Sequence, residues 1–256
     1  MVCRVPLDKL SEEKFARVIC YPEYDAKELT KRLCEMKELG IKALCFTGDK
    51  KIGDVSVLGK GHVGIVVSAC MEKGKAALKI RRADADRETM RREASMLQIA
   101  NSVKVGPRLI GFTKNFLLME FIEGLLLPEW IEKVKGEEDA AKRIRRVLRD
   151  LLEQCWRLDE AGLDHGELSR ASKHIMIDHK DNPWILDFET ASTTRRASNV
   201  TSICQFLFLK GKTAELINEA VNHNDRDKLI FLLRRYKRSR TRKNFDEILK
   251  VCALTP

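Results

Sequence analysis

The chain has 256 residues, 44% hydrophobic content, a formal net charge of +10 and eight cysteines. The length allows a substantial core in one or two domains. The best apolar run, residues 116–131, is broken by Glu120, Glu123 and Pro128 and the first residues lack a signal-peptide core, so the expectation is a soluble cytoplasmic protein without a membrane span. No two cysteines have the close spacing of a zinc ribbon or redox pair, so they read as reduced core residues, while the positive charge favours acidic partners such as nucleotides, RNA or ribonucleoprotein.

Residues 1–50 read as a small helical extension. Ser11 can cap a short helix that ends before Pro22. A second helix starts after Asp25, lines up Leu29, Leu33, Met36 and Leu39, and stops at Gly40. Residues 41–46 then suit a strand. The extension either recognises a partner or enlarges the core.

Residues 51–124 change to a strand pattern. Gly59, Gly61 and Gly64 form Gly-x-Gly-x-x-Gly, but the following Ile65, Val66 and Val67 are β-branched and favour a strand. A dinucleotide-binding fold needs a helix there, so these glycines belong to a hairpin whose backbone can cover phosphates. The next strand carries Lys79. A helix over 84–101 has Met90, Ala94 and Leu97 on one stripe, with Glu93 among them. A glutamate on an apolar face costs free energy unless paired, and Lys79 is the natural partner. A hairpin of 109–112 with 116–120 leads into Met119-Glu120-Phe121-Ile122, where an irregular link can offer backbone groups to an adenine edge.

Residues 125–256 read as mainly helical. A helix over 139–161 buries Ile144, Leu148, Leu151, Cys155 and Leu158 and turns Lys142, Arg143, Arg145, Arg146 and Arg149 outward. Residues 163–189 contain Asp164-His165-Gly166-Glu167, an apolar strand ending at Asp178, a turn at Asp181-Asn182-Pro183, and a second strand delivering Asp187. Two carboxylates at one rim, Glu167 and Asp187, can hold Mg²⁺ and orient a hydroxyl beside a phosphate. Three helices follow, the first capped by Asn199 and the last running from Asp225 through Arg234–Lys243, where seven of ten residues are basic. Leu229, Leu232, Leu233 and Tyr236 form an apolar edge that can dock this helix. Its cations either meet a polyanion, RNA foremost, or form a solvated helix end.

The ordered set of glycine hairpin, strand lysine, helix glutamate, link, long helix, polar loop and Asp-Phe-Glu resembles the protein-kinase superfamily over roughly residues 52–210. It is most similar to small atypical archaeal Ser/Thr kinases of the RIO type and of the tRNA-threonylcarbamoylation-complex type. The resemblance implies an α+β, minimal two-lobed kinase-like fold that binds ATP and Mg²⁺. It implies that Gly59, Gly61 and Gly64 cover the triphosphate and that Lys79, held by Glu93, meets the α- and β-phosphates. Glu120 and Ile122 would contact adenine with Met119 behind them, Asp187 would bind the metal, and Glu167 would stand in the catalytic-base position. The family's loop asparagine, a second Mg²⁺ ligand, aligns with Ser172 by one count and with His174 by another, so the resemblance implies one of these two as a metal ligand beside Asp187. Three departures stand out. Glu167 replaces an aspartate, Glu189 replaces the glycine of Asp-Phe-Gly, and no peptide-docking Ala-Pro-Glu segment follows. The readings are an atypical protein kinase or ATPase tied to RNA or ribonucleoprotein, a nucleotide-binding pseudokinase scaffold, or a small-molecule kinase. The acceptor is a protein Ser/Thr or water in the first reading; the oligomeric state stays open.

Overall fold

The computed structural model describes residues 3–86, 88–221 and 225–255. The chain divides into two units, Met1–Gln98 with Pro107–Phe121, and Ile99–Gly106 with Ile122–Pro256.

The first unit runs through β1 (Cys3–Pro6), α1 (Glu13–Ile19), α2 (Ala26–Glu38), β2 (Ala43–Phe46), β3 (Lys50–Ile52), β4 (Val55–Val57), β5 (Gly59–Lys60), β6 (Gly64–Cys70) and β7 (Lys75–Arg81). It then includes most of α3 (Thr89–Ser102), followed by β8 (Leu109–Phe112) and β9 (Phe116–Glu120). One antiparallel sheet is ordered β1-β2-β6-β7-β9-β8, with β5 beside β6. The helical extension expected at the N-terminus is therefore partly sheet. Its Val5, Leu44 and Phe46 share a core with Ile65, Val67, Leu78 and Phe116. Four residues ending in proline carry too little alternation to announce the edge strand β1.

Three helix starts differ from expectation, one of them in the second unit, where Ser198 rather than Asn199 is the cap of the helix over residues 199–204. Glu12, not Ser11, occupies the cap of α1, and it makes no side-chain cap bond. Helix α3 begins at Thr89 because the Asp86 side chain accepts from the Glu88 N–H at 3.0 Å, a local turn that competes with helix. By contrast α2 starts as read, with Asp25 accepting from the Glu28 N–H at 2.6 Å. Its buried stripe of Leu29 and Met36 includes one unforeseen member, the fully buried Arg32.

The second unit comprises β10 (Gly124–Leu126), α4 (Leu127–Val134), α5 (Ala140–Glu160), β11 (Ile175–Asp178), β12 (Pro183–Ile185), α6 (Asn199–Cys204), α7 (Lys212–Val221), α8 (Arg226–Arg238) and α9 (Arg242–Val251). The expected β11–β12 hairpin gains a third strand, β10. Gly124 permits that approach, since a Cβ there would lie 2.1 Å from the Ile177 carbonyl oxygen. Helix α5 buries the predicted apolar stripe completely. Its outward arginines are not simply solvated: Arg143 and Arg146 both reach Asp181, and Arg145 donates to the Val221 carbonyl. Helix α6 opens into a π turn over Gln205–Leu209.

The long last helix of the sequence reading is two helices. Ser239 closes α8, and the Thr241 hydroxyl caps α9 by accepting from the Asn244 N–H at 3.3 Å. The apolar edge Leu229, Leu232, Leu233 and Tyr236 is buried as expected. A sheet-rich first unit and a mainly helical second unit make the α+β, kinase-like class that the motif order implied. Among the described residues no helix is long and apolar enough to cross a membrane.

Candidate active site

In the first unit β6 and β7 pair from Gly64–Arg81 to Cys70–Lys75. The Gly61 N–H donates to the Gly64 carbonyl at 2.8 Å, which closes a tight hairpin with His62 and Val63 at its tip. Gly64 is a matter of space. A Cβ there would lie 3.1 and 3.2 Å from Cγ and Cε of Lys79 and 3.0 Å from the Ile80 carbonyl oxygen. The bare position lets the lysine stem lie along β6.

Lys79 and Glu93 meet as the sequence anticipates, Nζ to Oε2 at 2.7 Å, with residue exposures of 5% and 2%. Removing one partner of such a pair would strand a buried charge, at about 3–5 kcal/mol. At the end of β9, Met119 lies across from Ala77 and Glu120 across from Ala76. The Glu120 N–H donates to the Arg108 carbonyl at 2.9 Å. Ile122, half-buried, lies within the irregular link that precedes β10 and belongs to the second unit.

The loop from Asp164 to Glu167 is clamped from three sides within the second unit. Asp164 and Ser192 exchange backbone hydrogen bonds at 2.8 and 2.9 Å. Arg195 donates to the Asp164 carboxylate at 2.9 Å. Asn199 accepts from the His165 N–H at 2.9 Å and donates to the Leu163 carbonyl at 2.7 Å. Asn199 is in turn held by Asp159 at 2.8 Å, and Asp159 accepts from the Tyr236 hydroxyl at 2.9 Å. Gly166 has φ +90°, and a Cβ there would press on Arg195 and Thr190. His165 is fully buried, its Nε2 donating to the Leu186 carbonyl at 3.0 Å. That bond holds the backbone just before Asp187.

Glu167, His174 and Asp187 bring a carboxylate oxygen, a ring nitrogen and a second carboxylate oxygen within 4.8 Å of one another. His174 Nε2 is 3.5 Å from Glu167, and its Nδ1 is 3.9 Å from Asp187. Ser172, the other candidate, stands exposed on the 3₁₀ turn Leu168–Lys173. Asp187 itself takes the left-handed conformation, φ +67°, rather than the residue at the glycine position two places on. Such backbone in a non-glycine residue costs on the order of 1–3 kcal/mol and concentrates at functional sites. Two carboxylates suit Mg²⁺, which takes one or two of them together with water and phosphate oxygens. His174 offers a ring nitrogen to the same space, although an imidazole suits this ion less well than a carboxylate does.

The sequence reading missed Asp159, Asn199 as a clamp, Arg195 and Tyr236. The first had a visible signal: Asp159 follows Leu152 and Cys155 on the apolar stripe of α5. The others are joined only by folding.

A family model described as the RIO domain matches residues 68–202. This span takes in Lys79, Glu93, Met119 to Ile122, Glu167, His174 and Asp187. The glycine hairpin and everything before it lie outside the match. An uncharacterized protein of Methanocaldococcus jannaschii is 31% identical over 104 residues, which is 41% of this chain and 84% of that protein.

Proposed function

Since the chain belongs to the RIO family of atypical protein kinases and ATPases, we propose that it binds ATP with Mg²⁺ and transfers the γ-phosphoryl group to a protein Ser or Thr, or to water. The observation that carries this reading is the Lys79–Glu93 pair at 2.7 Å, an ion pair buried among Leu78, Ile80, Met90, Ala94 and Leu97 of its own strand and helix. Burial of two charges is a poor way to stabilise a fold. It is a good way to fix an ammonium group for phosphate. In this reading the glycine hairpin (Gly59, Gly61, Gly64) covers the phosphates, and Met119, Glu120 and Ile122 meet the adenine. Asp187 holds the metal, and Glu167 orients the attacking hydroxyl. His174, which lies beside both carboxylates, or Ser172 supplies the second metal contact. When bound, Mg²⁺ would neutralise the developing phosphate charge.

A nucleotide-binding scaffold is the second reading. Its support is Glu167, one methylene longer than the family's aspartate, because a misplaced base lowers rate steeply. Incubation with γ-labelled ATP, alone and with cell extract, separates the two. Glu167→Gln should lower turnover by ~10²–10⁴ with ATP binding retained, and Asp187→Asn should remove the metal dependence of binding. Unchanged turnover in Glu167→Gln would end its assignment as base. Absence of turnover in the wild type under both conditions would establish the scaffold.

A further inference from the structure

Six of the seven cysteines whose side chains are described are buried or half-buried, and two of them touch. Cys45 on β2 and Cys70 at the end of β6 are both free thiols, with Sγ atoms 2.7 Å apart. That separation is shorter than ordinary contact between two sulfur atoms. The register pairs Cys45 with Ser68 and Ala43 with Cys70, so the two cysteines are diagonal neighbours on one face of the sheet. The right-handed twist of adjacent strands closes one diagonal and opens the other. Arg4 lies across from Cys45 on β1, and Lys75 lies across from Cys70 on β7. Both cations therefore lie on the same face as the thiol pair.

We propose that Cys45 and Cys70 form a cross-strand disulfide on reaction with a low-molecular-weight disulfide, and that a dithiol reverses it. Access sets the order of events. Cys70 is half-exposed, whereas Cys45 is 4% exposed and its thiol is pushed up to about 11 by burial and by its neighbour. The Cys70 thiolate therefore attacks the small disulfide first. A sulfur–sulfur bond forms at Cys70 and one small thiolate leaves. Cys45 then attacks Cys70 Sγ, loses its proton, and expels the second small thiol. One small disulfide is reduced to two thiols as the two cysteines are oxidised, so electrons and protons balance.

The bond would tie the N-terminal strands to the strand that follows the glycine hairpin. It would close a ring over residues 45–70, which contains Gly59, Gly61 and Gly64. A ring of this size restricts the unfolded chain and raises the unfolding temperature.

The test uses the full chain carrying Cys34→Ser, which removes the one exposed cysteine among those described. The protein is treated with oxidised glutathione, alkylated without reduction, digested and weighed by mass spectrometry. The expected product is a peptide pair joining Cys45 to Cys70, two hydrogens lighter than the separate peptides and released by dithiothreitol. Its thermal midpoint should exceed that of the reduced protein by roughly 5 °C or more. Adding Cys45→Ser should leave a stable glutathione adduct on Cys70, and adding Cys70→Ser should leave Cys45 unmodified. A persistent glutathione adduct on Cys70 with Cys45 still present would overturn the proposal, as would recovery of both thiols as alkylated cysteines. Neither outcome bears on phosphoryl transfer.

Discussion

His165 shows how one buried side chain carries a pH dependence. Burial lowers its pKa to about 4, so the folded ring stays neutral in any milder solution. An unfolded histidine takes up a proton near pH ~6.5. Unfolding therefore binds a proton between these two values. The stability that His165 contributes is complete above ~6.5 and is lost as pH falls toward about 4, a total of about 3 kcal/mol. His165→Gln keeps a donor for the Leu186 carbonyl without the titration. Urea unfolding at pH 7 and pH 4 should show the gap between wild type and this variant narrowing by about 3 kcal/mol. Parallel losses in the two proteins would refute the assignment. Asp178 does not blur the result. Burial raises its pKa, but hydrogen bonds from Asn182, Trp184 and Lys180 hold it down to about 2, so its loss falls at lower pH.

Among the elements, α2 has a role that an appended helix would not need. Arg32 is fully buried and donates to the Ile19 carbonyl at 2.5 Å, the Arg81 carbonyl at 2.7 Å and Asn115 Oδ1 at 3.2 Å. Its Nε is 2.9 Å from the Glu28 carboxylate. Arg81, also buried, binds the same Asn115 oxygen and the Ala85 carbonyl at 2.6 Å. The network thus joins α2 to the end of the lysine strand and to the turn that opens into α3, where Glu93 resides. Asn115 is held in turn by Glu35 of α2 at 2.6 Å. Arg32→Met should cost about 3–5 kcal/mol in urea unfolding, because it leaves Glu28 and the buried Ile19 and Arg81 carbonyls without this donor, while Asn115 keeps Arg81. Glu28→Gln, at a half-buried site, should cost about 1 kcal/mol or less. Equal losses in the two variants would mean that Arg32 acts through its pair with Glu28 alone and that the buried carbonyls contribute nothing.

At the scale of the molecule the net charge of +10 is unevenly committed. Within the basic run, Arg242 grips Glu153 at 2.7 and 2.8 Å, and Arg240 donates to the Asp159 and Ala197 carbonyls at 3.3 Å. Those two arginines fasten α9 and the α8–α9 link to α5. Other cations are placed differently. A groove of about 340 Å³ beside α8 is lined by Lys210, Arg226, Arg234 and Lys237 with Thr201 and Ser202, and among the described residues no carboxylate lines it. Our expectation is that this face, rather than the whole run, is where single-stranded RNA would bind. Phosphate contacts release counterions, so affinity should fall with salt at a logarithmic slope of about −0.7 per contact. Changing Lys210, Arg226, Arg234 and Lys237 together to Ser should flatten that slope by up to about 3 and leave ATP binding intact. An unchanged slope would leave the groove without a ligand.

The motif order, through its resemblance to a known family, implied the class of the fold, and the sequence by itself determined the meeting of Lys79 with Glu93, because periodicity and misplaced charge are local signals. A lysine inside an apolar strand and a glutamate on an apolar helix face each need a partner, and each is the other's nearest answer. The long helix α5 and the β11–β12 hairpin were legible for the same reason. What only the tertiary structure decided depends on contacts remote in sequence. Arg32 reads as a surface residue on α2 until Ile19, Arg81 and Asn115 supply its acceptors. Tyr236 reads as one member of an apolar edge until Asp159 accepts its hydroxyl and passes the constraint through Asn199 to His165. The break between α8 and α9 lies in a run of basic residues with good helix propensity. It is set by the Thr241 cap and by what Arg240 and Arg242 bind, partners dozens of residues away. Counting along the loop could not choose between Ser172 and His174. Folding places His174 beside Glu167 and Asp187 because the turn of Leu168–Lys173 consumes the extra residues before β11.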